Sequence, residues 1–442
     1  MTRSRFVRAA LTAAALSVLF LVVYSGCNML TSLRSDVGTI AFAWERHTPF
    51  VPLMIAPYMS IDLFFVLAPF LCTSDGERRR LAGRVVMAIL VAGLFFLVFP
   101  LRFAFERPVA SGALGALFDW FRAMDLPFNL APSLHIALRT ILAELYHRHT
   151  RGALRVALHG WFFLIGLSTL LVWQHHIVDV VTGFILGGFC LIAFRETEAD
   201  APRALVPNPR IALYYVVAAA LTLLLGWLLR PWGVLALWPM LSFGTLAAAY
   251  LRLGSSVFEK RDGRLSLATR FAFAPVLFGQ RVSLRHYSRQ CRPWDVVAPG
   301  VWIGRVLSDT EAAHAVSRGV TAVLDLTGEF DEARPFITAR YRNMPVLDLT
   351  APSPGPLRAM AEFIEAESAR GTVYVHCKIG YSRSAAAIGA WLLHFGRAQT
   401  ADEAIAHLRR VRPTIVIRPE MQRALSEFAA GKARCGSVML AS

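Results

Sequence analysis

The sequence predicts a two-part fold: an all-α, polytopic membrane half, then an α/β domain with a mainly parallel central sheet. Apolar stretches long enough to cross a bilayer recur through the first 250 residues. From residue 285 onward, short β-rich runs alternate with helical stretches, an order typical of a parallel sheet with helices on both faces. Composition agrees with a membrane protein, because 55% of the residues are hydrophobic and 17% are charged.

We predict about eight membrane spans, of which the first six form a core and the last two are additional. They are placed near 9–27, 51–72, 85–101, 130–147, 156–174, 177–194, 211–229 and 233–251. The fourth is the weakest, since Arg139 and Glu144 interrupt it. The basic, apolar N-terminus ends in Ser-Gly-Cys, as in cleaved lipoprotein signals. Tyr24 occupies the position where such signals have leucine, which favours an uncleaved first span.

Arginines in the connections set the expected orientation. Arg3, Arg5 and Arg8 precede the first span, and Arg78, Arg79, Arg80 and Arg84 follow the second. Arg148, Arg151 and Arg155 follow the fourth span, and Arg195, Arg203 and Arg210 follow the sixth. The positive-inside rule then places the N-terminus and everything after residue 252 in the cytoplasm. We expect a multi-pass protein of a bacterial inner membrane. The net charge of +16 shows no basic stripe interleaved with aromatic residues, so no nucleic-acid partner is predicted.

Four segments follow from this organisation. They are a membrane core (1–200), two further spans (205–252), a connecting segment (253–284) and the α/β domain (285–442). The connecting segment includes LATRFAFAPVLFGQR, which is apolar and basic but too short to span. It is expected to lie at the membrane interface, with a plain linker as the alternative.

The stretch TVYVHCKIGYSRSAAA at 372–387 reads as a strand, a tight loop and a helix. Backbone N–H groups of such a loop, together with a helix N-terminus, form a cradle for a tetrahedral dianion. That environment lowers a thiol pKa from ~8.5 toward about 3.5–7.5, so Cys377 is expected to be a thiolate. Arg383 offers a planar fork for two phosphoryl oxygens, and Gly380 allows close backbone approach. These residues suit attack on phosphorus through a covalent cysteinyl-phosphate.

The stretch resembles the signature of cysteine-based tyrosine and dual-specificity phosphatases, His-Cys-x-x-Gly-x-x-Arg-Ser/Thr, and the resemblance covers roughly 290–430. It implies that Cys377 is the nucleophile and Arg383 the phosphate ligand. Ser384 would help the thiolate leave in the second step, and His376 would orient the loop. The resemblance also requires a general acid, which Asp348 supplies; Asp325 and Asp331 are weaker alternatives. Lys378 resembles the second cation of lipid-phosphate phosphatases, or is a solvated lysine.

Three fragments in the membrane half form a second constellation: FERP at 105–108, PSLH at 132–135 and STLLVWQHHIVD at 168–179. They resemble the motifs of the type 2 phosphatidic acid phosphatase superfamily. The resemblance implies that His175 attacks phosphorus, Asp179 holds its tautomer and His135 protonates the leaving oxygen. Arg107, Ser133 and Ser168 would help bind the phosphate. The fragments at 102–135 and 168–176 fall in odd-numbered connections between spans. They are therefore expected on the periplasmic face, opposite the cysteine site.

This constellation departs from its family at two cations. Pro100 and Thr169 stand where a lysine and an arginine are usual, and the PSLH form is closer to the inositol-phosphoceramide and sphingomyelin synthase branch. Head-group transfer therefore competes with hydrolysis. Arg139, four residues after His135, is a hypothetical replacement for a lost phosphate ligand; pairing with another buried polar group is the alternative. His176 is an alternative nucleophile whose spacing is one residue off.

The predicted function is that of a membrane-bound phosphatase without metal or cofactor. Its cytoplasmic domain hydrolyses a lipid phosphate or a phosphoprotein, and its membrane half hydrolyses or transfers a lipid phosphate. Two alternatives remain: a regulatory protein phosphatase fused to a lipid enzyme, or a membrane half that is an inactive lipid-binding anchor.

Overall fold

The computed structural model describes residues 2–195 and 207–439. The chain forms two compact units. The first comprises Met1–Glu196 and Ala218–Leu241, and the second comprises Thr197–Val217 and Ser242–Ser442. The predicted boundary at 200–205, and Arg203 with it, lie outside the described residues.

The first unit is helical. Its helices are α1 (Arg3–Ser32), α2 (Ile55–Leu71), α3 (Asp75–Val98), α4 (Gly112–Met124), α5 (Leu134–His149), α6 (Gly152–Leu171) and α7 (Ile177–Ala193). Two more helices, α8 (Pro209–Leu228) and α9 (Leu237–Ala248), contain residues of both units. Helices α5 and α7 pack closely because α7 carries glycines at the contact: a Cβ at Gly183 would lie 2.6 Å from the Ser133 carbonyl oxygen.

Six stretches of the described residues are long and apolar enough to cross a membrane. They are Arg3–Ser32, Pro52–Leu71, Asp75–Val98, Gly152–Leu171, Pro209–Leu228 and Trp232–Phe258. Each overlaps one of the eight predicted spans. Of the other two, α7 is a shorter apolar helix, and α5 carries Glu144, which accepts a hydrogen bond from Arg84 at 2.8 Å. The described residues therefore form a helical half whose apolar helices suggest membrane association, and the count of eight remains a prediction.

The second unit continues with two helices and a five-stranded sheet. Its elements are α10 (Leu267–Ala272), α11 (Ala274–Ser288), β1 (Trp294–Ala298), β2 (Val301–Gly304), α12 (Asp309–Ser317), β3 (Val320–Asp325), α13 (Arg334–Ile337), β4 (Arg340–Asn343), α14 (Pro354–Ser368), β5 (Thr372–His376), α15 (Arg383–His394), α16 (Ala401–Val411) and α17 (Pro419–Met439). The strand order is β1-β2-β5-β3-β4. Three pairs are parallel and the edge pair β1-β2 is antiparallel, so the sheet is mixed and mainly parallel.

Helices cover both faces of this sheet. One face packs against α14, α15, α16 and α17, with α15 buried almost throughout. The other packs against α12 and α13, through Ala312, Ala315 and Phe336 on Tyr374 and Val323. Because β5 lies in the middle of the sheet and is buried on both faces, the loop that follows it starts from a rigid position.

Residues 253–284, predicted to lie at the interface or to be a linker, pack on the sheet domain. Ser255 donates to the Pro345 carbonyl oxygen at 2.8 Å, and the Leu265 N–H donates to Asp331 at the same distance. The outer side of α11 leaves Phe278 and Val282 69% and 54% exposed. This segment is therefore part of the second unit, with an apolar outer surface.

Candidate functional site

The loop between β5 and α15 is shaped by one glycine and one buried arginine. Gly380 has a φ of +78°, and a Cβ there would lie 2.6 Å from the Gly304 carbonyl oxygen, so only glycine fits. Arg412 donates to the carbonyl oxygens of Gly380 and Ile379 at 3.1 Å and is anchored by Asp295 at 2.6 Å. These contacts occupy the loop carbonyls on one side, and Cys377 lies at the start of the loop.

Cys377 is buried, with its Sγ 3.4 Å from the Oγ of Ser384. Burial alone would raise the pKa of the Cys377 thiol. The charge of Arg383 and the hydrogen bonds from the Ser384 hydroxyl and backbone outweigh burial, so the net effect is a lowered pKa. The structure thus gives the thiol the surroundings that favour a thiolate, and it brings Ser384 to the sulfur.

Arg383 is fully enclosed and makes a two-point contact with Glu329. Its two terminal nitrogens lie 2.6 Å and 3.2 Å from the Glu329 carboxylate, and one of them also donates to the Val346 carbonyl oxygen at 2.8 Å. Its Nε is buried and has no partner among the described residues. These bonds fix the plane of the guanidinium and leave one donor for an anion.

Asp348 lies beside this arginine, 3.4 Å from it, and pairs with Lys378 at 2.7 Å. Burial would raise the pKa of the Asp348 carboxyl, but the charges of Arg383 and Lys378 lower it. Lys378 also donates to Gln280 of α11 at 2.9 Å, and its side chain is 13% exposed, so its role as a second phosphate cation stays a prediction. In this resting arrangement Lys378 acts on Asp348 rather than on the loop interior.

The alternative acids are engaged elsewhere. Asp331 pairs with Arg270 at 2.9 Å, and Asp325 forms a buried ion pair with Lys260. Asp325 also accepts from Thr327 and from the Tyr341 hydroxyl. Of these three carboxylates, Asp348 alone contacts Arg383 in the part of the chain that the structure describes.

His376 lies behind the loop, between two carboxylates. Its Nε2 is 2.8 Å from Glu332 and 3.7 Å from Asp325. Burial would lower the pKa of His376, but both carboxylates act against burial and the pKa is raised. These three residues could hold a metal ion by distance. The Lys260 ammonium already contacts Asp325, and this arrangement fits an ion-pair network that positions the loop.

Several residues of the site were missed by sequence reasoning. Glu329, Glu332 and Arg412 reach the loop from other elements, and Lys260 and Gln280 come from the segment before β1. An acidic stretch, GEFDE, follows β3 and was the one available signal. Arg412 is buried, but nothing in the sequence around it distinguishes it from the exposed arginines.

In the first unit, His175 and Asp179 are buried, and His135 is half-buried at the start of α5. His175 Nδ1 lies 3.4 Å from Asp179, and the Ser133 N–H, two residues before His135, donates to the Asp179 carbonyl oxygen at 3.0 Å. The His135 ring stacks on Tyr58 with centroids 4.2 Å apart, and its Nε2 has no partner among the described residues. A free, buried imidazole nitrogen near a carboxylate-bound one suits paired acid and nucleophile roles.

His176 is held at both ring nitrogens. Nδ1 lies 2.9 Å from Glu45, and Nε2 accepts from the Ala104 N–H at 3.1 Å. A nitrogen that accepts a backbone hydrogen bond has no lone pair left for phosphorus, so this geometry favours His175 over His176. Glu45 was also missed by sequence reasoning.

The residues predicted to bind phosphate in the first unit differ in whether their side chains already have hydrogen-bond partners. Arg107 has a buried Nε without a partner among the described residues. Ser133 caps α5 through the Ile136 N–H, and Ser168 donates to the carbonyl oxygen of Ile165. Arg139 donates to the Phe162 carbonyl oxygen at 2.6 Å, with its guanidinium over Phe184. This contact engages Nε of Arg139, and a role of Arg139 in phosphate binding stays a prediction.

Comparison with known proteins places the second unit. Residues 302–430 match the family model "Dual specificity phosphatase, catalytic domain". The chain is 28% identical over 167 residues to the phosphatidylglycerophosphate phosphatase PTPMT2 of Arabidopsis thaliana. The aligned region covers 36% of this chain and 72% of the relative. It is 30% identical over 109 residues to the tyrosine-protein phosphatase CDC14 homolog of Schizosaccharomyces pombe, covering 24% of this chain and 20% of the relative.

A solved structure, the crystal structure of PTPMT1, is also similar. It is 24% identical, covers 33% of this chain and 99% of its own, and has a TM-score of 0.30. The family match and the curated relatives agree that the C-terminal part of the chain is a dual-specificity-type phosphatase domain, a phosphoric monoester hydrolase. The predicted enzyme class is thereby confirmed.

Proposed function

We propose that the C-terminal domain hydrolyses the phosphomonoester of a membrane lipid, through a cysteinyl-phosphate on Cys377. The observation that carries this proposal is the position of Asp348. The Tyr250 hydroxyl donates to the Asp348 carbonyl oxygen at 2.9 Å, and Asn208 donates to the Leu349 carbonyl oxygen at 3.2 Å. Tyr250 lies in the candidate span Trp232–Phe258, and Asn208 directly precedes Pro209–Leu228.

These two hydrogen bonds tie the loop that carries Asp348 to the ends of two apolar helices. One hydrogen bond separates Asp348 from chain that enters a bilayer, so the reacting phosphorus would lie near headgroup level. The exposed Phe278 and Val282 of α11 support the same position, because an apolar surface flanked by arginines binds a membrane interface. A lipid phosphate meets such a site at its own depth, whereas a peptide must approach past the headgroups.

The chemistry follows from the geometry. The Cys377 thiolate forms a bond to phosphorus while the ester P–O bond breaks, and the alcohol leaves with a proton from Asp348. The free Nε–H of Arg383 donates to an equatorial oxygen as charge develops on it. Water then attacks the cysteinyl-phosphate and gives a proton to the Asp348 carboxylate. The P–S bond breaks, inorganic phosphate is released, and Ser384 donates to the departing thiolate. Before the first step, Asp348 must separate from Lys378 and take up a proton.

The test compares substrates on the full chain in phosphatidylcholine nanodiscs, with Cys377→Ser as the blank. We expect phosphatidylglycerophosphate or phosphatidic acid to be turned over with a higher kcat/KM than phosphotyrosine and phosphoserine peptides. The PTPMT2 relative is named for phosphatidylglycerophosphate, which motivates the first substrate. Cys377-dependent turnover confined to peptides would make the domain a signalling phosphatase.

We propose a second, separate activity for the first unit: transfer of a lipid phosphate, to water or to another lipid, through a phosphohistidine at His175. The free Nε2 of His135 and the contact between His175 and Asp179 favour it. Acid-sensitive labelling by ³²P-phosphatidic acid in a Cys377→Ser background tests it. His175→Asn should abolish the label and His176→Asn should retain it. If the Cys377→Ser protein takes up no label with His175 and His176 intact, this unit is an inactive anchor. The absence of the usual lysine at Pro100 and arginine at Thr169 allows that outcome.

A further inference from the structure

A cavity of about 610 Å³ lies in the first unit, next to the histidine constellation. Its lining includes Arg34, Arg102, Arg107, Arg122, Asp125 and Phe103. Arg34, Arg102 and Arg122 lie outside the three motif fragments of the first unit. Arg102 is exposed, but Arg107 and Arg122 are half-buried in an apolar helical unit, where a cation is costly without an anionic partner.

Two lining residues connect the cavity with the histidines. The Phe103 ring stacks on His176, with centroids 4.3 Å apart, and the Arg107 guanidinium lies 5.4 Å from the same ring. Asp125 lines the same cavity as Arg107. A group bound between these arginines would therefore lie on the Phe103 side of His176, the neighbour in sequence of the proposed nucleophile His175.

The cavity holds donors without partners. The Nε atoms of Arg107 and Arg122 are buried and have no hydrogen-bond partner among the described residues, like Nε2 of His135. Arg122 is nevertheless fixed in place, because it donates to the Pro108 carbonyl oxygen at 2.9 Å and lies over the Phe118 ring. Buried donors of this kind are normally satisfied by a ligand or by water.

The charge of the lining fits a phosphate monoester. Arg34 is neutralised by Asp36, 2.7 Å away, and Asp125 offsets one further charge. Tyr24 holds Asp125 by donating to it at 2.9 Å. The four lining arginines and Asp125 sum to +3, and the Asp36 partner of Arg34 reduces this to an excess of two positive charges. A phosphate monoester carries about −1.5 to −2 at neutral pH.

We propose that this cavity binds a phosphate monoester dianion and that Arg122, with Arg102, supplies the positive charge missing at Pro100 and Thr169. The inference rests on the phosphate transfer proposed for the first unit and names its phosphate site. The ligand is the headgroup of a phosphorylated lipid or free phosphate, which share this chemistry. Arg139, the sequence-based hypothesis for the replacement, lies on a different contact.

The experiment reads each arginine separately. The full chain in phosphatidylcholine nanodiscs is treated with phenylglyoxal, and peptide mass spectrometry follows the modification rate at each position. Saturating dioctanoyl phosphatidic acid should slow modification of Arg107 and Arg122 about tenfold or more and leave the exposed Arg151 unchanged. Protection by inorganic phosphate at equal concentration would identify free phosphate as a ligand, and protection by the lipid alone would identify the headgroup. Equal protection by dioctanoylglycerol, or none by either anion, would overturn the proposal.

Variants separate charge from folding. Arg122→Gln should raise the lipid concentration that half-protects Arg107 by about 10- to 100-fold, and Arg122→Lys should recover most of the loss. Arg151→Gln is the matched control, and thermal unfolding checks each variant. An unchanged half-protecting concentration in a folded Arg122→Gln protein contradicts the assignment. Protection that persists without any His175-dependent turnover would refute the proposed catalysis and leave the binding site standing.

Discussion

The most demanding prediction concerns Lys260, which lies 25 residues before the sequence-predicted domain boundary. Its side chain is 2% exposed and its ion-pair partner Asp325 is 0% exposed. Lys260→Met would leave that carboxylate buried without its cation, a change that typically costs 3–5 kcal/mol, roughly. Thr327 and Tyr341 still donate to Asp325, so we expect the lower end, about 3 kcal/mol.

For a unit of this size the loss corresponds to a Tm lower by about 6–12 °C. The assay is thermal unfolding of the full chain in detergent, with the exposed neighbour Arg261→Met as control. The Lys260→Met/Asp325→Asn double variant should be less destabilised than the single variant, since it buries no charge. A Tm for Lys260→Met within about 2 °C of the control would refute the reasoning.

The pH dependence of this effect has a definite sign. The charge of Lys260 and other contacts outweigh burial and lower the pKa of Asp325 in the folded state. The stability that Asp325 contributes is therefore present above its unfolded-state pKa and is lost as the pH falls through the folded-state pKa. Lys260→Met removes the cation, so its penalty should shrink at acidic pH as Asp325 becomes protonated.

Three further predictions concern the loop itself. Lys378→Met should raise the pKa of Asp348 and move the alkaline limb of the kcat/KM–pH profile to higher pH. An unmoved limb would show that Lys378 does not set the pKa of the general acid. Ser384→Ala should lower kcat about 10- to 100-fold and produce a burst in rapid-quench experiments, because cysteinyl-phosphate breakdown slows; proportional loss in both steps would contradict this. Gly380→Ala should abolish turnover and lower stability by about 1–3 kcal/mol, because of its φ of +78° and the clash with Gly304, and unchanged turnover would refute the strain.

The sequence predicted those parts of the site that are contiguous along the chain. Cys377, Gly380, Arg383 and Ser384 lie on one strand-loop-helix unit, so their spacing encodes their geometry. Asp348 was found by its place after a strand, and the structure puts it 3.4 Å from Arg383. The mainly parallel sheet followed from the same alternation of strands and helices.

Partners that are distant in the chain could not be predicted. Glu329 reaches Arg383 across 54 positions, and Arg412 reaches Gly380 across 32. Arg139 shows the limit of helical periodicity: its spacing from His135 allows a shared face, but packing turns it toward the Phe162 carbonyl oxygen. Burial and pairing, rather than residue type, decide the role of such an arginine.

The central claim is that Cys377 acts on a phosphomonoester in the membrane that holds the enzyme. The most direct measurement places phosphatidylglycerophosphate either in the same nanodisc as the full chain or in separate vesicles at equal bulk concentration. Anchoring at headgroup level predicts Cys377-dependent turnover at least about tenfold faster in the shared membrane, through the higher local concentration. Equal rates in both arrangements, or faster cleavage of soluble phosphopeptides than of either lipid form, would contradict the claim.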